Sequence, residues 1–285
     1  MLTATDDSLQ RLAGGLGLLP LAPPLPGTPL GRFALLRHLG AGTMGSVYGA
    51  YDPDLDREVA LKVLTGGDAR LEARTLGRLS HPNVVSLYDA GECDGRSFIA
   101  MELVDGEPLL HWLRGRDRVD VIGLFVQLAR GLQAVHDAGF VHRDVKPDNV
   151  LVDESGRVRL VDFGLVHRVG TTAALAGTPA YMAPELFDGA LPDPRTDQFA
   201  FAATLFEALT GERPFAGRSI IELHLHMCAG KPVGGWRALP SSVRPILRRA
   251  LDVRPSRRFA SMADLQAALV RASARRPLVA IGGSR

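Results

Sequence analysis

The chain has 285 residues, 46% of them hydrophobic and 22% charged, with a formal net charge of +2. Such a length buries a sizeable core in one large domain or two smaller lobes. The near-balance of charge excludes nucleic acid and an anionic membrane as expected partners, since the one arginine cluster, Arg254, Arg257 and Arg258, is too short to form a basic stripe.

Residues 1–30 read as an irregular extension with at most a short helix over 8–13. Asp6 and Asp7 stand where a secretory leader needs basic residues, and Pro20, Pro23, Pro24, Pro26 and Pro29 interrupt the apolar stretch. Short apolar runs over 33–36, 46–51 and 58–64 predict strands, with Asp52-Pro53-Asp54 as turn chemistry between two of them. A helix is predicted over 69–79 on Leu71, Leu76 and Leu79. Strands are predicted over 84–89 and 97–103.

Beyond Gly106 the period becomes helical. Helices are predicted over 119–138, over 196–210 with Gly211 as its stop, over 240–251, and over 262–271 with Ser261 as N-cap. No run is long and apolar enough for a transmembrane helix, and no internal repeat is present. Cys93 and Cys228 lack metal-binding spacing and read as free thiols, which fits a reducing cytoplasm. A small β-rich half thus precedes a larger helical half, meeting near residues 102–106. A cleft between two such halves is a natural small-molecule site.

Three constellations carry chemistry. Gly40-Ala41-Gly42-Thr43-Met44-Gly45-Ser46-Val47 lies between two predicted strands. Glycines there let backbone N–H groups approach phosphate oxygens, whereas a dinucleotide fold needs such a loop between a strand and a helix. Lys62 follows Val59-Ala60-Leu61 on an apolar strand, where an ammonium needs a carboxylate partner, and Glu72 on the next helix is the candidate. His142-Arg143-Asp144-Val145-Lys146-Pro147-Asp148-Asn149 follows the long helix, and Asp162-Phe163-Gly164 comes after the next strand. Phosphoryl transfer needs a held metal, neutralised phosphate charge and an acceptor for the hydroxyl proton. Asn149 and Asp162 are oxygen ligands suited to Mg²⁺. Asp144 is the orienting base, and Lys146 stabilises developing charge.

In this order, together with Ala183-Pro184-Glu185, these blocks resemble the signature set of the eukaryotic-like serine/threonine protein kinases, in a bacterial flavour. The resemblance runs from about Arg32 to Arg271 and implies an α+β, two-lobed kinase fold. It places a kinase domain at 31–272, with an N-lobe at 31–102, a C-lobe at 106–272 and a flexible basic tail at 273–285.

The resemblance also implies the site. Asp144, Lys146 and Lys62 are the catalytic set. Leu39 and the glycine loop through Val47, with Ala60, Lys62, Glu72, Met101, Glu102, Val104, Lys146, Asp148, Asn149 and Asp162, bind ATP. Asn149 and Asp162 hold Mg²⁺, with Mn²⁺ as a substitute. Met101 resembles the gatekeeper, and residues 102–104 the hinge. His142 and Phe163 pack with Leu76, Glu185 pairs with Arg258, and Asp197 anchors the catalytic loop. Lys146 and the Gly177-Thr178 pair point to serine or threonine acceptors on proteins. Thr171 and Thr172 are the candidate phosphosites facing Arg143, through transient self-association for autophosphorylation.

Glu72 stands only ten positions after Lys62, which shortens the regulatory helix. No sensor module or membrane anchor is expected after the kinase domain. The competing readings are a pseudokinase scaffold, a small-molecule phosphotransferase and a dinucleotide oxidoreductase. They are disfavoured by the intact Lys62, Asp144, Asn149 and Asp162, by the complete 177–185 block, and by the hairpin context of the glycine loop, respectively.

Overall fold

Alternating apolar residues in the first third of the chain build an antiparallel sheet in the computed structural model. The model describes residues 24–42, 45–65, 77, 79–116, 119–169, 177–230, 232 and 234–274. The strands are β1 (Pro29–Leu30), β2 (Phe33–Gly42), β3 (Gly45–Asp52), β4 (Arg57–Leu64), β5 (Leu87–Cys93) and β6 (Arg96–Glu102). They lie in the order β1-β2-β3-β4-β6-β5.

A period of two turns Phe33, Leu35, Tyr48, Ala50, Val59, Leu61, Val63, Phe98 and Ala100 to one face, where they form a buried cluster with Leu30. The rings of Phe33 and Phe98 meet edge to face at 5.5 Å. The opposite face carries a different set. Register puts Val47 across from Lys62, Lys62 across from Ile99, and Ala60 across from Met101.

Two local features differ from expectation. Pro29 and Leu30, assigned to the extension, pair with β2, and Leu30 is 1% exposed because its side chain completes the apolar face. The strand expected over 84–89 begins at Leu87, because Val84 instead bridges Leu160 in parallel. The β5–β6 hairpin turns at Asp94-Gly95, whose φ angles of 51° and 70° are those of a type I′ turn.

The chain divides into two units, one of Met1–Ser80 with Val85–Val104, the other of His81–Val84 with Asp105–Arg285. The first holds the sheet. The second contains β7 (Glu107–Pro108), α1 (Leu109–Leu113), α2 (Val121–Asp137), β8 (Phe140–Val141), β9 (Val150–Val152), β10 (Val158–Leu160) and β11 (His167–Arg168). It continues with α3 (Pro184–Phe187), α4 (Pro194–Thr210), α5 (Ile220–Cys228), α6 (Arg244–Ala250) and α7 (Met262–Ser273).

Sequence chemistry sets the helix ends. The Asp120 carboxylate accepts from Gly123 N at 2.9 Å and starts α2. Asp193 and Thr196 form a capping box ahead of α4, Pro194 occupies its first turn, and Gly211 ends it at φ 76°. Helix α4 is buried on nearly every side from Thr196 to Ala208, which makes it the central element of this unit. Phe125 of α2 meets Phe201 of α4 edge to face at 5.2 Å, and α7 packs along α2.

Helices α1, α3 and α5 were not predicted. Only Leu223 and Met227 of α5 are buried, and the exposed Ile220, Ile221 and Leu225 blur that inward face. The helix expected over 69–79 lies outside the described residues apart from Gly77 and Leu79, and Glu72 and Leu76 fall with it. Among the described residues, no helix is long and apolar enough to cross a membrane. An antiparallel sheet unit followed by a mainly helical unit is the α+β, two-lobed architecture expected.

Candidate active site

On the sheet unit, the glycine loop is the paired end of β2 and β3, with Gly40 opposite Val47, Ala41 opposite Ser46 and Gly42 opposite Gly45. Thr43 and Met44 lie outside the described residues. The three glycines do different things. A Cβ on Gly45, at φ 143°, would run into the Val63 carbonyl oxygen, so the chain itself requires this glycine. A Cβ on Gly40 or Gly42 meets nothing within 4 Å. Packing around the loop therefore does not demand either glycine, and both leave open space beside the backbone. Gly45→Ala is therefore expected to lose about 1–3 kcal/mol of stability by denaturant melting. Gly40→Ala and Gly42→Ala should stay within about 0.5 kcal/mol of wild type while weakening ATP binding.

Lys62 is 4% exposed, held in β4 between Val47 and Ile99. Ala60 and Met101 occupy the next row, 7% and 8% exposed. The Glu102 carboxylate accepts from Ser86 N at 3.2 Å, and Glu102 N donates to Ser86 O at 2.9 Å, fixing the chain just before Val104. Leu39 is 46% exposed.

On the helical unit, the loop from His142 to Lys146 leaves β8, enters a 3₁₀ turn over Pro147–Asn149 and continues into β9. It is anchored from below by Asp197, in the first turn of α4 and 0% exposed. Asp197 accepts from His142 N and from Arg143 N, each at 2.8 Å, and lies 2.8 Å from His136 Nε2. Burial by itself raises the Asp197 carboxyl, but the hydrogen bond from His136 and the backbone N–H of His142 together hold it below its ordinary value. Arg143 is bent to φ 71°, a left-handed conformation that a non-glycine residue adopts only under constraint.

Asp144 is the hub. Its Oδ1 accepts from Thr178 N at 3.1 Å and from Thr178 Oγ1 at 2.9 Å. Its Oδ2 accepts from Lys146 Nζ at 2.6 Å and from Asn149 Nδ2 at 2.9 Å. Lys146 Nζ also donates to Thr178 Oγ1 at 2.9 Å, closing a ring of three side chains. Asn149 spends its amide nitrogen on Asp144, also donating to Asp144 O at 2.8 Å, which leaves Oδ1 as its ligand end. Val161 N donates to Asn149 O at 3.0 Å, which ties Asn149 to the residue before Asp162. Asp162 itself sits at φ 61°, its Oδ1 accepting from Gly164 N at 3.2 Å. Asp148, in the 3₁₀ turn, is exposed.

Asp162 and Asn149 offer one carboxylate and one amide oxygen. Among the described residues, no group of three or more His, Cys, Asp or Glu could hold a metal ion. That donor set fits a hard cation which keeps waters and phosphate oxygens as its other ligands.

His142 Nδ1 accepts from Asp144 N at 3.3 Å, so its proton belongs on Nε2, 3.2 Å from Val161 O. Its ring meets Phe163 edge to face at 4.9 Å. Burial pushes His142 below its ordinary pKa, and burial with Arg130 and Arg159 does the same to His81. The unfolded chain then binds more protons than the folded one below about pH 6.5. Stability is expected to be full above that pH and to fall on acidification, with Asp197 adding a further loss only below the ordinary carboxylate range. Urea midpoints from pH 8 to pH 5 check this, and a flat profile contradicts it.

Arg258 is buried and forms a fork on Glu185, with NH1 to Oε1 at 2.6 Å and NH2 to Oε2 at 2.7 Å. No sequence signal marked His136 as a partner of Asp197. A lone histidine on an apolar helix reads as core, and its contact depends on a residue 61 positions away. Candidate phosphosites Thr171 and Thr172 lie outside the described residues.

A family model described as the protein kinase domain matches residues 33–270. Among curated proteins, the chain is similar to the serine/threonine-protein kinase PknA of Mycobacterium tuberculosis, 36% identical over 282 residues, covering 90% of this chain and 65% of PknA. It is similar to PrkC of Bacillus subtilis, 34% identical over 257 residues, covering 83% of this chain and 40% of PrkC. It is also similar to PknE of Mycobacterium bovis, 34% identical over 261 residues, covering 85% of this chain and 46% of PknE. The chain thus spans between two fifths and two thirds of the length of these relatives. With the loop of Asp144 built in this way and the family match covering most of its length, the chain belongs to the protein kinase domain family.

Proposed function

We propose that the chain is a serine/threonine protein kinase that moves the γ-phosphoryl group of ATP onto protein hydroxyls. The observation that carries this is the ring of Asp144, Lys146 and Thr178, with Asn149 donating to the same carboxylate. It aims a carboxylate at an acceptor hydroxyl and places an ammonium beside it. As the hydroxyl oxygen bonds to the γ-phosphorus, the bond to the β–γ bridging oxygen breaks, ADP leaves, and Asp144 takes the hydroxyl proton. Lys146 Nζ, shared between Asp144 and Thr178, balances charge on the transferred group.

Use of ATP with a divalent cation comes with the family; Mg²⁺, exchangeable for Mn²⁺, is the finer assignment. When bound, the cation neutralises the phosphate oxygens. Asn149 Oδ1 and the Asp162 carboxylate would hold it. Lys62 supplies a buried ammonium for the α- and β-phosphates, with Glu72 as its partner. Gly40 and Gly42 admit the phosphates, and Val47, Ala60, Met101 and the backbone of residues 102–104 take the adenine. The kinase domain is assigned to 31–272 and the location to the cytoplasm. Substrates are proteins, with autophosphorylation at Thr171 or Thr172 through transient self-association.

The test is phosphate transfer from labelled ATP with Mg²⁺ to a mixed set of Ser- and Thr-containing peptides, beside an Asp144→Ala variant. Label on Ser or Thr from wild type alone supports the reading. ATP binding with no label from wild type replaces it by a nucleotide-binding module.

A further inference from the structure

A charged cluster next to Asp144 takes no part in the chemistry above. Tyr181 N donates to Thr178 O at 3.0 Å, so Tyr181 lies one turn beyond the threonine that contacts Asp144. Its hydroxyl donates to Glu207 Oε2 at 2.6 Å. The Glu207 side chain is only 12% exposed, and a carboxylate so covered needs a cation or several donors. Arg213, two residues past the Gly211 cap of α4, supplies the cation. Its Nε lies 3.6 Å from Glu207 Oε1, and its guanidinium stands 5.4 Å from the centre of the Tyr181 ring.

Arg213 also feels Asp148, the exposed carboxylate between the two residues that contact Asp144. Burial disfavours its charge, but Tyr181, Glu207 and Asp148 together raise its pKa above the ordinary value. The Arg213 side chain remains 53% exposed, so it is not locked in the core as Arg258 is. Glu207 and the exposed Asp148 therefore put two carboxylates on two elements near the transfer residues, and a half-exposed arginine of the same chain sits against Glu207, within electrostatic reach of Asp148. A protein whose hydroxyl reaches Asp144 must lay its neighbouring residues across this surface.

We propose that Arg213 is a specificity-determining residue: it fills, from within the chain, an acidic subsite made by Glu207 and Asp148, so that the kinase favours acceptor sequences without a basic residue there. The proposal rests on the kinase reading and names the substrate class of that same site. Arg213 touches none of the groups that react. It acts by occupying charge that an acceptor arginine would otherwise meet. Removing it takes the cluster of Arg213, Glu207 and Asp148 from one net negative charge to two and uncovers carboxylates that recruit a guanidinium.

The full chain is assayed on acceptor peptides in which a single arginine is moved, residue by residue, through an otherwise uncharged background. Wild type is expected to gain nothing from arginine at any position. Arg213→Ala is expected to raise kcat/KM about three- to tenfold for peptides with arginine at one position, through KM rather than kcat, and to leave the uncharged peptide unchanged. Arg213→Lys, which keeps the charge, is expected to retain the wild-type profile. The gain is expected to vanish in Arg213→Ala/Glu207→Gln. Identical arginine profiles for wild type and Arg213→Ala overturn the proposal while leaving the kinase reading intact. So does a uniform loss on all peptides, which marks Arg213 as structural. No transfer to any peptide by wild type overturns the kinase reading and the proposal with it.

Discussion

Asp144→Ala is expected to lower kcat for phosphate transfer by about 10²–10⁴-fold, the range associated with losing a positioned acid–base group. That corresponds to roughly 3–5 kcal/mol of transition-state stabilisation. The fold should survive, because the surrounding contacts do not all pass through the deleted carboxylate. Lys146 Nζ still reaches Thr178 Oγ1 at 2.9 Å, Asn149 Nδ2 still donates to Asp144 O at 2.8 Å, and Asp197 still holds the backbone of His142 and Arg143. Affinity for ATP should change little, since none of the nucleotide-binding assignments includes Asp144. Asp144→Asn separates charge from shape: it keeps an acceptor oxygen and should still lose most of the activity. Steady-state kinetics beside nucleotide binding checks both, and near wild-type turnover in either variant would remove Asp144 from the mechanism.

Arg258→Ala is expected to produce the largest loss of stability, about 3–5 kcal/mol, the penalty for stranding one partner of a buried ion pair. Arg258 is 2% exposed, forms both bonds of its fork with Glu185, and donates to the carbonyls of Arg195 and Asp252 at 2.8 and 2.9 Å. Its removal leaves a carboxylate and carbonyl oxygens without their donor in a site too closed for easy hydration. The melting temperature should fall by roughly 10 °C. Arg258→Lys should recover only part of this, because an ammonium cannot make the planar two-point contact. Because Glu185 lies in the first turn of α3, just beyond the segment of Thr178 and Tyr181, transfer activity should drop with stability. A change in melting temperature below about 2 °C would show that Glu185 finds another partner.

The parts of the molecule legible from the sequence are those whose chemistry is contiguous in the chain. Residues 142–149 carry the proposed base, ammonium and amide ligand within one loop, so the resemblance to protein kinases could be read from one contiguous block. Short apolar runs in β2, β3 and β4, and the cap residues Gly211 and Ser261, made the sheet and the main helices readable for the same local reason.

What depended on distant partners was not legible. The difference between Gly45 and its two companions exists only because the Val63 carbonyl lies under one of them. Tyr181, Glu207 and Arg213 come together across the turn that ends α4, with 26 positions between the first two. Helix α5 was missed because Ile220, Ile221 and Leu225, 56%, 74% and 62% exposed, blur the narrow inward face made by Leu223 and Met227.

The left-handed bend at Arg143 and the buried carboxylate beneath it belong together. A non-glycine residue at φ 71° is worth about 1–2 kcal/mol of strain. Two charge-assisted bonds to Asp197 offset that strain as part of folding, before any ligand arrives. The ordering entropy of this loop is thereby settled when the helical unit forms rather than at each encounter with substrate. The loop is pre-organised: its backbone and the Asp144 carboxylate are held in place before any ligand arrives, which is the condition for small reorganisation energy in a reaction at this site.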